Sequence, residues 1–208
     1  MFEPTQTYST PRKRSGSERL TPARALVAEA VRRYSVLGIE CSILEVQKLA
    51  YFIERCVTSL GLRDPLRMQF KADRYGPYSD RLRHLLNDLD GAWLTSEKRL
   101  ADAGPLDRIY FRDERRAALA EYLASAPAAD YQPALARLSE VIDGFESPLG
   151  MELLATVDWL LVHERAEATI EGLRKGLREW PAGNAAARRK EGLFDDRLLG
   201  LGLDRLAA

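Results

Sequence analysis

Hydrophobic residues recur at helical spacing along most of the chain. Leu26, Val27, Ala30, Val31 and Tyr34 share one face, with Thr21-Pro22 as N-cap and first helical position and Gly38 as the stop. From Ile43 to Leu60 the period continues through Val46, Leu49, Ala50, Ile53 and Val57, behind a Ser42-x-x-Glu45 capping box and ahead of Gly61. Tyr51 and Phe52 widen that apolar face, which predicts the central, most buried helix. Lys48 is read as a solvent-reaching side chain at the edge of its stripe. Further helices are predicted from Asp113 to about Ser125, from Pro133 to Gly144, from Ser147-Pro148 through Leu161, from Ile170 to Trp180, and around Phe194 to Leu203. In one place the period changes to two. Leu66, Met68, Phe70 and Ala72 alternate with polar residues, which predicts a half-buried strand. Arg108–Arg112 reads as the second short strand available to pair with it. Between the first strand and a Leu82/Leu85/Leu86/Leu89 helix capped by Gly91 sits Tyr75-Gly76-Pro77-Tyr78. These two tyrosines either form a displayed surface or cap the core. The pattern as a whole predicts a mainly α, single compact helical domain of about seven helices with a small two-stranded β-sheet.

Composition adds little to that outline. Over 208 residues, 46% hydrophobic and 30% charged content are those of a globular chain. No apolar run is long enough to span a membrane, and the N-terminus lacks the pattern of a secretory signal. Cys41 and Cys56 stand alone in apolar surroundings and are expected to be reduced, which points to the cytoplasm. Residues 1–20, rich in Ser, Thr, Pro and Arg and without periodicity, read as a linker or tail, and residues 21–208 as the folded domain. Charge does change the picture. Residues 1–36 carry seven Lys and Arg against three acids, whereas residues 130–171 carry nine acids against two Arg. A one-sided acidic block of this kind predicts a basic partner.

A search for catalytic chemistry returns no motif. His84 and His163 lack a His or Cys at metal-ligand spacing, and no G-x-S-x-G, Walker A, G-x-G-x-x-G or H-E-x-x-H sequence occurs. Neither catalytic residues, a metal nor a cofactor is predicted.

Three separated stretches, Leu44–Glu54 (LEVQKLAYFIE), Lys71–Gly91 (KADRYGPYSDRLRHLLNDLDG) and Gly144–Leu160 (GFESPLGMELLATVDWL), resemble the C-terminal domain of DarG antitoxins, and more distantly the Panacea antitoxin domain. The resemblance covers roughly residues 22–205. It implies an antitoxin domain that binds and inhibits DarT, an ADP-ribosyltransferase toxin acting on single-stranded DNA. DarG antitoxins carry an N-terminal macrodomain that removes ADP-ribose from DNA. None precedes Thr21 here, so the resemblance implies that glycohydrolase activity is absent and that residues 1–20 trail the missing domain. The acidic block and the aromatic turn then suggest inhibition by nucleic-acid mimicry, with carboxylates where phosphates would sit and rings where bases would stack. The expected partner-binding residues are Lys71, Arg74, Tyr75, Tyr78, Phe145, Glu146, Glu152 and Asp158. On this reading the chain has no membrane role and does not bind nucleic acid directly. The alternative is a DNA-binding transcriptional regulator using Arg12–Arg14, Arg19 and Arg24 together with Arg188-Arg189-Lys190.

Overall fold

At Ser42 the capping box forms as its sequence predicts. The Ser42 hydroxyl accepts from the Glu45 N–H, and the Glu45 carboxylate accepts from the Ser42 N–H at 2.7 Å. Two otherwise orphaned donors are thereby satisfied where the helix starts. That helix, α2 (Ile43–Ser59), is buried along most of its length, with α1 (Pro22–Ser35), α5 (Gln132–Ile142) and α6 (Pro148–Val162) packed around it. Ser42→Ala is expected to cost about 1 kcal/mol, read as a lowered urea midpoint at unchanged slope.

The computed structural model describes residues 17–35, 38 and 40–207. The basic stretch Arg12–Arg14 lies outside the described residues. Within them the fold is mainly helical, with α3 (Arg81–Leu89), α4 (Arg116–Ala124), α7 (Ile170–Arg178), α8 (Asn184–Leu193) and α9 (Asp196–Ala207) completing nine helices. The helix that periodicity does not disclose is α8. Its Arg-rich sequence buries only Ala186, Ala187 and Lys190, too little to make an apolar stripe. Apolar almost all round, α6 is crossed closely by α7 and α9. A Cβ at Gly176 would lie 2.8 Å from Leu160 Cδ2, and one at Gly202 would lie 3.1 Å from Val157 Cγ2. Among the described residues no helix is long and apolar enough to cross a membrane, and no group of three or more His, Cys, Asp or Glu could hold a metal ion. Cys41 and Cys56 are buried free thiols.

The small two-stranded sheet is present, but its strands are not the predicted pair. It joins β2 (Lys71–Asp73) to β3 (Gly76–Tyr78) in an antiparallel hairpin with Lys71 opposite Tyr78 and Asp73 opposite Gly76. Three of the four residues of the tyrosine turn are therefore themselves a strand. The predicted strand at Arg108 is β5 (Arg108–Phe111), which pairs instead with β1 (Cys41–Ser42) and β4 (Leu94–Thr95) in a second, three-stranded arrangement. Residues 66–70 keep the alternating burial that suggested a strand, with Leu66 and Met68 inside and Arg67 and Gln69 outside. The backbone donors of Leu66, Arg67 and Met68, however, are taken by side chains. The Leu66 and Arg67 N–H groups donate to the Asp64 carboxylate at 2.9 Å, and the Met68 N–H donates to Glu54. Arg67, at φ 50°, also breaks the extended run. Alternation reports which face is buried, not which ladder forms.

Candidate functional site

The β2–β3 hairpin turns at Arg74-Tyr75 and is clamped from three sides. Two neighbouring side chains of α2 reach it. Gln47 donates to the Ser79 carbonyl and accepts from the Ser79 N–H, both at 3.0 Å, and Lys48 Nζ donates to the Pro77 carbonyl at 2.7 Å. From beyond α7, Trp180 Nε1 donates to the Asp73 carbonyl at 3.0 Å. Gly76 has φ 93°, and a Cβ there would come 3.3 Å from Thr156 Oγ1 and 3.5 Å from Lys48 Cε. Only glycine meets both conditions without displacement.

A pocket of about 300 Å³ opens between this hairpin, the first half of α2, α3, and the segment 100–105. Leu44, Leu86 and Leu100 form its buried apolar floor, and Tyr75 and Tyr78 its half-buried aromatic side. The exposed guanidinium groups of Arg74 and Arg83 stand at its edge, and Asp73 is the one carboxylate among its lining residues. The Tyr75 ring lies between two cations, 5.3 Å from the Arg74 guanidinium and 4.7 Å from that of Arg189.

Behind the hairpin runs a buried polar cluster. Lys190 is fully buried, donates to Glu152 at 2.9 Å and to Thr156 Oγ1 at 3.0 Å, and stands 4.8 Å over the Trp180 ring. Arg189 bridges the same Glu152 carboxylate through both terminal nitrogens. One carboxylate thus faces Arg189, Lys190 and, across Gly76 and Thr156, Lys48. Burial would raise the Glu152 pKa, but the hydrogen bonds and charges of Arg189 and Lys190 outweigh it and leave the group below its ordinary value. Burial, reinforced by the charge of Lys190, pushes the Lys48 amine down to about 7. Burial likewise takes Lys190 to about 8, against the pull of Glu152.

The residues expected to bind a partner do not form one surface. Arg74, Tyr75 and Tyr78 line the pocket together. Lys71 lies on the same hairpin but is exposed and paired with Asp80 at 3.0 Å. Phe145, half-buried, has the Arg205 guanidinium 5.9 Å over its ring, and Glu146 is half-buried beside it. Glu152 and Asp158 are buried, at 2% and 6% exposure. Asp158 accepts from Tyr51 at 2.6 Å and from Arg55 at 2.8 Å, beside a second cavity of about 300 Å³. Two of the three acids chosen to imitate phosphates are thus spent on internal ion pairs, and mimicry through them is corrected on that ground.

Sequence reasoning missed Lys48, Gln47, Trp180 and Lys190 as determinants of the site. Lys48 does not reach solvent. It is 1% exposed and binds the hairpin backbone. A signal was present: Leu44 and Lys48 are four apart, so Lys48 shares the buried face of α2. Nor is the Arg188-Arg189-Lys190 cluster a free basic patch, since Lys190 is internal and Arg189 is ion-paired.

No family model matches this chain. It is 36% identical over 162 residues to the DNA ADP-ribosyl glycohydrolase of Thermus aquaticus, a match covering 78% of this chain and 42% of that protein. It is 34% identical to the DNA ADP-ribosyl glycohydrolases of Mycobacterium tuberculosis and Mycobacterium bovis, covering 90% of this chain and 53% of each. These names correct three expectations. The resemblance to an antitoxin C-terminal domain, the inhibitory or transcriptional role drawn from it, and the exclusion of enzyme chemistry all give way, because the proteins matched over most of the chain are named as glycohydrolases. The chain is similar to part of these DNA ADP-ribosyl glycohydrolases and spans about half the length of the relatives it matches.

Proposed function

We propose that this chain serves the removal of ADP-ribose from DNA, as one part of a glycohydrolase of the kind its relatives are named for. The observation that carries this reading is the 34–36% identity to those proteins over 78–90% of the chain. The site supports it chemically. ADP-ribose and DNA both present phosphates and flat bases, and the pocket beside the hairpin offers cations, aromatic rings and an apolar floor. This reading departs from the sequence expectation that nucleic acid is not bound directly. It also sets the chain in the cytoplasm, where the buried free thiols of Cys41 and Cys56 stay reduced.

The test is to give the purified chain a fluorescent single-stranded oligonucleotide with and without an ADP-ribosyl group. The modified strand is expected to bind at least tenfold more tightly, with ADP-ribose released faster than in buffer. Equal binding of the two strands with no release would overturn the reading.

A further inference from the structure

We infer that the pocket between the β2–β3 hairpin, α2 and α3 binds a nucleoside phosphate, its base on the Leu44/Leu86/Leu100 floor and its phosphate between Arg74 and Arg83. This rests on the reading above and assigns that reading a site within the chain. Four observations carry it. First, the volume of about 300 Å³ is at the lower end for small-molecule sites, so it suits one nucleoside unit and not the whole of a dinucleotide such as ADP-ribose. Second, neither Arg74 nor Arg83 forms an ion pair among the described residues. The Arg74 guanidinium has its ring contact with Tyr75, and that of Arg83 a 3.5 Å hydrogen bond to the Ala101 carbonyl with the Asp80 charge nearby. Two exposed guanidinium groups at the edge of one pocket suit forked recognition of a phosphate.

Third, the polar inventory fits a nucleoside and little else. Gln47 is held by Ser79 through one of its donors and its carbonyl oxygen, so its carboxamide is fixed in place as part of the wall. Asp73 is the single carboxylate in the pocket lining; its Oδ1 accepts from the Arg74 N–H at 2.6 Å, and its remaining acceptor capacity suits ribose hydroxyl groups. A dicarboxylate or free sugar acid would meet that charge and gain nothing from three buried leucines. Fourth, the wall is preorganised. Gln47, Lys48 and Trp180 fix the backbone of residues 73–79, and Arg189 stacks on one side of Tyr75, so the ligand need not order the hairpin.

The nucleoside phosphate has two possible sources, the adenosine end of ADP-ribose or a nucleotide of the DNA strand. The experiment is calorimetric titration of the whole chain with ADP-ribose, with AMP, and with unmodified oligothymidylate. It is repeated on Ala103→Trp, which fills the pocket from a half-buried position, and on Arg83→Glu, an exposed substitution that spares the fold should the first variant fail to melt cooperatively. At least one of the three probes is expected to bind, and to bind at least tenfold more weakly to each folded variant. Binding by AMP and ADP-ribose alone assigns the pocket to adenosine. Binding by oligothymidylate, displaced by AMP, assigns it to the strand. Absence of binding by all three at millimolar concentration, or equal binding by wild type and folded variants, overturns the inference. If the variants still prefer the ADP-ribosylated oligonucleotide as strongly as wild type does, the pocket assignment fails while the functional reading stands.

Discussion

Replacing Glu152 by alanine is expected to cost about 3–5 kcal/mol of folding stability, the range for removing one partner of a buried ion pair. Among the described residues Glu152 is the only carboxylate hydrogen-bonded to Arg189 and Lys190, and it lies at 2% exposure, so water cannot replace it without opening the structure. Arg189 is partly exposed and can turn outward, but the Lys190 side chain is fully buried and cannot. A double variant, Glu152→Met with Lys190→Met, is expected to recover most of the loss, since an apolar pair of similar volume avoids desolvating charge altogether. Urea unfolding of the two variants measures both numbers. A loss below about 1 kcal/mol in the single variant would place Lys190 in contact with water and refute the buried cluster. Charge reversal at Glu152 would be worse than alanine, so it would report on folding before it reported on any binding partner.

The second large effect is in pH. Lys48 is held down to about 7 against an ordinary value of 10.5, chiefly by burial. Its folded form therefore releases its proton earlier than the unfolded chain, and the unfolded state binds more protons between those values. Stability must then rise with pH across that window. Between pH 7 and 9 two other groups act with opposite sign. Lys190, lowered to about 8 mainly by burial, adds to the rise. Glu54, raised to about 8 by burial and by its neighbour Asp64 against the pull of the Met68 N–H, releases its proton in the folded state across the same range and subtracts a similar amount. The net gain from pH 7 to 9 is therefore close to that of Lys48 alone, about 2 kcal/mol. Lys48→Met is expected to flatten the curve. Urea midpoints at pH 7, 8 and 9 decide the matter, and a curve that rises equally in wild type and Lys48→Met would show that the amine is not the titrating group. Above pH 9 the trend should weaken, because burial raises the Cys56 thiol to about 11 and the folded state then holds the extra proton.

The first expectation depends on contacts that no local pattern discloses; for the second, helical spacing signals that Lys48 is buried but not what it meets, and the site as a whole divides the same way. Tyr75, Tyr78 and Arg74 stood out in the sequence because a turn needs glycine and proline but not flanking tyrosines, and they do line one pocket. The other half of that pocket, from Leu44 on α2 to Ala103 and Pro105, comes from segments about thirty residues to either side, and nothing in the spacing of either segment points to the other. The acids of residues 140–171 illustrate the converse error. A one-sided run of charge suggests an exposed surface, yet Glu152 and Asp158 point inward because distant cations meet them there.

What the sequence determined by itself was everything settled within a turn or two of helix. That includes the start of α2 at its capping box, the apolar face of α3, the N-cap and proline that open α6, and the mainly helical class. Those features depend on residues three or four apart, and caps and periodicity report them directly. What only the tertiary structure decided was the pairing of groups far apart in the chain. Lys190 meets Glu152 across 38 positions, Arg55 meets Asp158 across 103, and Arg108–Phe111 chooses Cys41–Ser42 and Leu94–Thr95 over residues 66–72. A hydrophobic stripe states which side of an element is buried. Which charge or strand waits on the far side follows from how the helices pack, and that is set by the summed shape of the core and not by any one segment.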